Sequence, residues 1–170
     1  YPGSTQPFRI ISFTNASKSH ARGLEFNWEQ RFKNLPGFLG GLGGSANYTF
    51  VDSQFAIRPG ETSPLPSSSK NTWNASVFYE RNGLGLRLAA YSVSADLFAI
   101  GSDKSSDVFN GRRTSMDFGS TYALQANFAL YLNIKNLLDT RHVFYLGAPD
   151  RPIQREFYGR DYLFGLRYDF

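Results

Sequence analysis

Large apolar and polar residues alternate with a period of two along most of the chain. At its end Tyr162, Phe164, Leu166, Tyr168 and Phe170 share one parity, against Asp161, Gly165, Arg167 and Asp169. Successive side chains of a strand point to opposite faces, so this pattern predicts a strand with one apolar face. Phe128, Leu130, Leu132 and Ile134 oppose Asn127, Ala129, Tyr131, Asn133 and Lys135 in the same way. Met116, Phe118, Tyr122 and Leu124 oppose Ser115, Asp117, Gly119, Thr121 and Ala123, and Leu84, Leu86, Leu88 and Ala90 oppose Gly85, Arg87, Ala89 and Tyr91. Trp73, Ala75, Val77 and Tyr79 face away from Asn74, Ser76 and Glu80, with Phe78 an exception on the polar side. Leu42, Ala46, Tyr48 and Phe50 oppose Ser45, Asn47 and Thr49; Leu24, Phe26, Trp28 and Phe32 oppose Glu25, Asn27, Glu29 and Arg31. With a further strand at 8–14, whose pattern sets no phase, the chain reads as about eight strands and no long helix.

The connections alternate too. Those at 33–37, 81–83 and 124–125 are short, whereas 56–70, 94–111 and 140–159 are long and rich in Pro, Ser, Gly and charge. Short periplasmic turns and long extracellular loops alternate in this way in outer-membrane barrels. The alternation gives every strand a direction, which sorts the aromatics of the apolar face into two rows. Phe32, Tyr79, Tyr122, Phe128, Tyr168 and Phe170 fall at the periplasmic ends, and Phe50, Trp73 and Tyr162 at the outer ends. Both membrane interfaces favour aromatic girdles.

Composition narrows the class. Hydrophobic residues make up 41% and aromatics 16%, yet the mean hydropathy is −0.36, as interleaving requires. No stretch approaches the roughly 18 consecutive apolar residues of a transmembrane helix. The absence of Cys excludes disulfide frameworks and thiolate sites. The net charge of +4 is scattered among acidic residues without a basic run, which argues against nucleic acid. Tyr1-Pro2-Gly3-Ser4 does not open a signal peptide, so the sequence reads as a mature form or a fragment, with a fragment favoured.

Strands facing hydrocarbon must have both edges paired, because an unpaired backbone polar group there costs several kcal/mol. A sheet of this kind closes into a barrel. Eight strands can close, but the interior is then filled by side chains. Here the polar face carries mostly Gly, Ser, Ala, Asn and Thr, which suits the wide, solvated lumen of a larger barrel.

Several motifs carry a resemblance. Residues 115–139, SMDFGSTYALQANFALYLNIKNLLD, resemble the penultimate hairpin of TonB-dependent outer-membrane receptors, a D-x-x-x-x-Y strand followed by alternation and a closing N-L-x-D. Tyr158-Gly159-Arg160 and the strand ending at Phe170 are similar to that family's closing pattern, and Gly23-Leu24-Glu25 to its G-x-E strand opening. The resemblance implies an all-β transmembrane antiparallel barrel of about 22 strands. Residues 1–170 would be its C-terminal segment, without the N-terminal plug that fills it. It implies an energy-coupled importer of the Gram-negative outer membrane, taking a ferric siderophore, another metal chelate, cobalamin or a carbohydrate. The partners implied are membrane lipids and lipopolysaccharide, the rest of the barrel and its plug, the TonB complex through the N-terminal region, and the barrel assembly machinery. The rivals are a self-contained eight-stranded outer-membrane protein and a soluble ligand-binding barrel or sandwich.

Gly165, Tyr168 and the terminal Phe170 resemble the C-terminal signal read by the assembly machinery, from which Leu163 departs. Arg112, Arg113, Tyr145, Asp150, Arg151 and Tyr158, with Arg155, Glu156 and Phe157, lie in or beside long connections and are candidate solute contacts. The plainer reading of these groups is solvated loop charge. Asp103 and Asp107 offer oxygen ligands to a hard cation, without EF-hand spacing. Gly41-Leu42-Gly43-Gly44-Ser45-Ala46 matches a dinucleotide pattern formally, but leads into a strand, where glycine suits a bend or close packing. His20 and His142 are far apart and placed in loops, and no catalytic constellation, cofactor motif or metal set is visible, so no enzyme is expected.

Overall fold

The computed structural model describes residues 18–170, so the strand expected at 8–14 lies outside the described residues. Seven strands form the main sheet: β1 (Ser19–Arg31), β2 (Leu42–Arg58), β4 (Asn71–Arg81), β5 (Leu84–Val93), β8 (Arg113–Gln125), β9 (Phe128–Lys135) and β12 (Asp161–Tyr168). They lie side by side in chain order, each antiparallel to the next, with the short β3 (Glu61–Ser63) added to the end of β2. The expected all-β antiparallel wall is therefore present, and it is open rather than closed on itself.

Register decides which side chains share a face. Leu24 stands opposite Phe50, and Tyr48 opposite Trp73. Leu88 stands between Val77 and Phe118, Phe118 opposite Ile134, and Ile134 opposite Tyr162. Every alternating set read from the sequence thus falls on the same side, because a slip of one residue would send a strand's whole apolar set to the other face. That face is bare: Leu24 is 76% exposed and Phe164 69%, with Leu166 and Val77 also exposed. Among the described residues no second layer covers these side chains, as a sandwich would require.

The turns at one end are tight. Asn82 and Gly83 both have positive φ, 50° and 77°, the conformation that matches the twist of a two-residue hairpin. The turn before β2 is longer than expected, because a 3-10 helix, Gly37–Gly41, follows Pro36.

At the opposite end the long connections are themselves folded, which corrects the expectation of open loops. β6 (Asp96–Ala99), β7 (Val108–Asn110), β10 (His142–Leu146) and β11 (Pro152–Glu156) form a second sheet in the order β11-β10-β7-β6. His142 sits in β10 and His20 in β1, not in loops. These strands are three to five residues long, and the two hairpins they form are joined by the pairing of β7 with β10 across connections distant in sequence, so no local alternation announces them. Leu97 is 1% exposed, and the Phe109 and Tyr145 rings stack at 5.5 Å. Leu97 and Phe109 border a cavity of about 130 Å³ with Val51 and Ser53, which stand on the polar-face register of β2. This small sheet therefore leans on the polar side of the wall and caps it.

The polar-side exception Phe78 has a physical reason. A Cβ on Gly43, directly opposite, would collide with the Phe78 ring. The ring lies over the glycine, and the Arg31 guanidinium sits 5.4 Å above its centre while pairing with Glu80 at 2.7 Å. Tyr131 covers Gly165 in the same manner. Glycine's missing side chain is used here for close packing of an aromatic across the strands.

The residues that carried the family resemblance form a knot at the outer end of the last three strands. Asn136, at φ 54°, accepts the Thr140 N–H through Oδ1 at 2.8 Å and donates through Nδ2 to the Gly159 carbonyl at 2.8 Å. Arg160 Nε donates to the Leu137 carbonyl at 2.9 Å, and Thr140 donates its hydroxyl to the Thr114 carbonyl.

Candidate functional site

Two surfaces could meet a solute: the polar face of the wall, and the cap above it. The wall carries a row at one level, Asn27, Asn47, Asn74, Tyr91 and Ser115, each opposite the next. Asn47 donates to the Asn27 amide oxygen, and one level away the Ser45 and Ser76 hydroxyls pair at 2.8 Å. With Glu29, Arg87 and Asp117 these residues line a groove of about 520 Å³. A wall of amides, hydroxyls and small side chains is wettable and offers hydrogen bonds without a catalytic arrangement. The opposite face has a depression of about 470 Å³ floored by Gly44, Ala46, Ala75 and Ala90 and rimmed by Trp28, Phe32, Leu88 and Met116.

The cap is pinned by a paired charge. Arg58, from the extension of β2, donates to both Asp107 oxygens at 2.8 and 2.7 Å and also reaches Glu61 at 2.8 Å. Asp107 is 3% exposed and accepts the Gly101 N–H at 2.9 Å. The Arg58 hydrogen bonds hold its carboxyl below the ordinary value of 3.8, and Arg58 is correspondingly harder to deprotonate. Asp103 is bound by the Ser105 hydroxyl and the Ser105 and Ser106 amides, which lower its carboxyl to about 2. The two aspartates expected to offer oxygens to a cation are thus engaged separately: Asp107 holds an arginine and Asp103 shapes its own turn.

The other candidates divide. Tyr145 is turned into the cap's core, where burial raises its phenol pKa. Its ring stacks on that of Phe109, joining β10 to β7. Arg151 donates to the Ser105 carbonyl at 3.1 Å, and Asp150 beside it is exposed. Arg113 opens β8 on the polar-face register, opposite Val93, with Arg112 exposed before it. Tyr158 is 75% exposed and donates to Glu156 Oε2 at 2.6 Å, which raises the phenol and lowers the carboxyl. The same oxygen lies 3.4 Å from His142 Nδ1, and Gln154 donates to the other at 2.8 Å. Sequence reading missed Arg141, whose guanidinium sits 4.5 Å above the Phe157 ring. Nothing local signals that contact, because the two residues flank the β10–β11 hairpin from opposite sides.

The residues offered as an assembly signal lie at the end of the wall: Gly165 under Tyr131, and Tyr168 opposite Phe128 with its ring 5.1 Å from that of Phe170. Leu163, the polar-face exception of that strand, stands opposite Asn133. The aromatics of the two rows share the apolar face, with Tyr122 and Tyr162 among the exposed ones.

A family model described as TonB dependent receptor-like, beta-barrel, matches residues 1–137. Among solved structures, the crystal structure of the siderophore receptor PiuA from Acinetobacter baumannii is similar to this chain, with a TM-score of 0.63 and 19% identity. The match covers 88% of this chain and 22% of that one, so the likeness is one of fold over a minor part of that receptor. No curated protein matches the sequence.

Proposed function

This chain belongs to the TonB-dependent receptor family as part of its β-barrel, and from that premise we propose that it builds wall and outer cap of an energy-coupled importer in a Gram-negative outer membrane. The family is one of receptors and transporters rather than of enzymes. The observation that carries the reading is the register: seven neighbouring strands put most of their large apolar side chains on one exposed face, Phe78 and Leu163 being exceptions. Such a face is stable only against hydrocarbon, at roughly 25 cal/mol per Å² of apolar surface removed from water. The polar groove then looks into the lumen, and the cap stands at its outer mouth.

On this reading the missing partners are the remaining strands, a plug and the TonB complex, with lipid and lipopolysaccharide around the apolar face. The barrel assembly machinery would read the strand ending in Tyr168 and Phe170. A scarce nutrient such as a ferric siderophore is the cargo, in keeping with the description of the similar receptor. The test is uptake of radiolabelled ferric siderophores by cells expressing the complete gene, with and without a working TonB complex. TonB-dependent accumulation supports the reading; equal accumulation in both strains rejects it.

A further inference from the structure

The apolar face of the wall is hollowed at one place. Ala46, Ala75 and Ala90 stand opposite one another on β2, β4 and β5, between Trp28 on β1 and Met116 on β8. Gly44, two positions nearer the short turns, extends the hollow along β2 beneath the exposed Val77. Elsewhere the face is bulky, as in the row Phe118, Ile134 and Tyr162. The depression of about 470 Å³ lies within the roughly 300–1,000 Å³ of ligand pockets. Two polar groups interrupt the apolar parity on its short-turn side. Gln30 stands opposite Gly44, and Arg81 follows Trp73, Ala75, Val77 and Tyr79 at the end of β4; both are exposed. A Cβ on Gly40 would lie 3.8 Å from the Arg81 guanidinium, which therefore borders the turn leading into β2. Among the described residues Arg81 forms no ion pair. Its neighbour Glu80 lies on the polar-face register and is held by Arg31 at 2.7 Å. No carboxylate of the described residues lies on the apolar parity at this end of the wall.

We propose that this depression binds one phospholipid of the periplasmic leaflet, with an acyl chain over Gly44, Ala46 and Ala75, the ester region at Gln30 and the phosphate at Arg81. The proposal rests on the membrane-facing wall of the importer reading and makes one place on that wall selective. Charge decides between occupants. A second copy laid on this face would bring apolar groups and another guanidinium, whereas a phospholipid brings the missing anion. A guanidinium meets phosphate through paired N–H donors, and in the weakly polar interface that pairing is stronger than in water. The order of groups along the face also matches a lipid: apolar floor, then amide, then cation nearest the short turns. Trp28 and Phe32, with ring centres 6.3 Å apart, wall the hollow on the β1 side, where interfacial aromatics are favoured.

The experiment titrates the complete receptor, purified in detergent, with dioleoylphosphatidylglycerol and with dioleoylglycerol, which has the same chains and no phosphate. Native mass spectrometry counts the lipid bound. One phosphatidylglycerol is expected to bind about tenfold more tightly than dioleoylglycerol, and Arg81→Gln to remove that preference. Ala75→Phe fills the hollow and should weaken both lipids about tenfold, whereas Leu166→Phe, elsewhere on the apolar face, should change neither. Heat-modifiable gel migration reports that each variant is folded. Equal binding of the two lipids, unchanged phosphatidylglycerol binding in Arg81→Gln, or the same loss in Ala75→Phe and Leu166→Phe overturns the proposal. A dimer that Ala75→Phe abolishes would assign the hollow to a second copy and overturn it too. These outcomes leave TonB-dependent uptake untouched, whereas a receptor that stays soluble without detergent and retains neither lipid would overturn the membrane reading along with the site.

Discussion

The carboxylate of Asp117 accepts the backbone N–H of Asn136 at 2.8 Å, joining the middle of β8 to the turn that closes β9. Leu137 donates its N–H to the Met116 carbonyl beside it at 2.7 Å. Asn136 has a positive φ, which asparagine tolerates better than most residues, and its side chain bonds both Thr140 and Gly159. The spacing that makes the family motif recognisable is thus the spacing of a knot holding three strands at the outer end.

Asn136→Gly keeps the backbone conformation and removes the side-chain bonds, so it separates the two contributions. It is expected to cost about 1–2 kcal/mol, and Asn136→Val more, because a β-branched residue is strained at that φ. Urea midpoints of the barrel folded in lipid vesicles check the order. Equal midpoints for Gly and Val would deny the strain, and a midpoint unchanged in the Gly variant would deny the knot.

A second expectation concerns Gly43 under the Phe78 ring. Gly43→Val forces the ring off the strand and is expected to cost about 1–3 kcal/mol. Combining it with Phe78→Ala should recover part of that loss, since the colliding partner is gone. A double-mutant cycle on folding in vesicles measures the recovery; simple additivity would contradict the packing.

The Arg58–Asp107 pair makes the cap pH-dependent. Hydrogen bonds from Arg58 depress the Asp107 pKa below 3.8. A depressed carboxyl stabilises the fold above its unfolded value and loses that contribution as pH falls through its folded value. The cap is therefore expected to be held fully above about pH 4 and to loosen below it. Hydrogen exchange at the Gly101 amide, corrected for the intrinsic rate, should accelerate in that range. Asp107→Asn should give a rise on the order of tenfold to a hundredfold at neutral pH.

Much of the wall was legible because period-two alternation is a local signal: one strand's parity shows in five alternate residues, as in Tyr162 to Phe170. Of the short connections, 81–83 was legible for the same reason, Asn82-Gly83 being a dipeptide with its own conformation, whereas the one expected at 124–125 falls at 126–127 and the one expected at 33–37 runs on through a 3-10 helix. The cap was not. β7 has three residues and pairs with β10 more than thirty positions later, so its existence depends on tertiary contacts such as Phe109 on Tyr145. The site residues followed the same division. Arg113 and Tyr158 could be singled out as charge and aromatic near loops, whereas Arg141 over Phe157 and Tyr145 in the cap's core depend on how two hairpins meet.

A membrane-spanning wall requires the apolar face to meet acyl chains, and spin labels placed singly along residues 162–168 of the complete receptor in a bilayer test this most directly. Collision with oxygen, which concentrates in hydrocarbon, is predicted to be high at 162, 164, 166 and 168 and low at 163, 165 and 167, with a water-soluble nickel complex showing the reverse. The opposite phase, or the same accessibility at every position, would contradict the membrane-facing wall and the transport reading built on it.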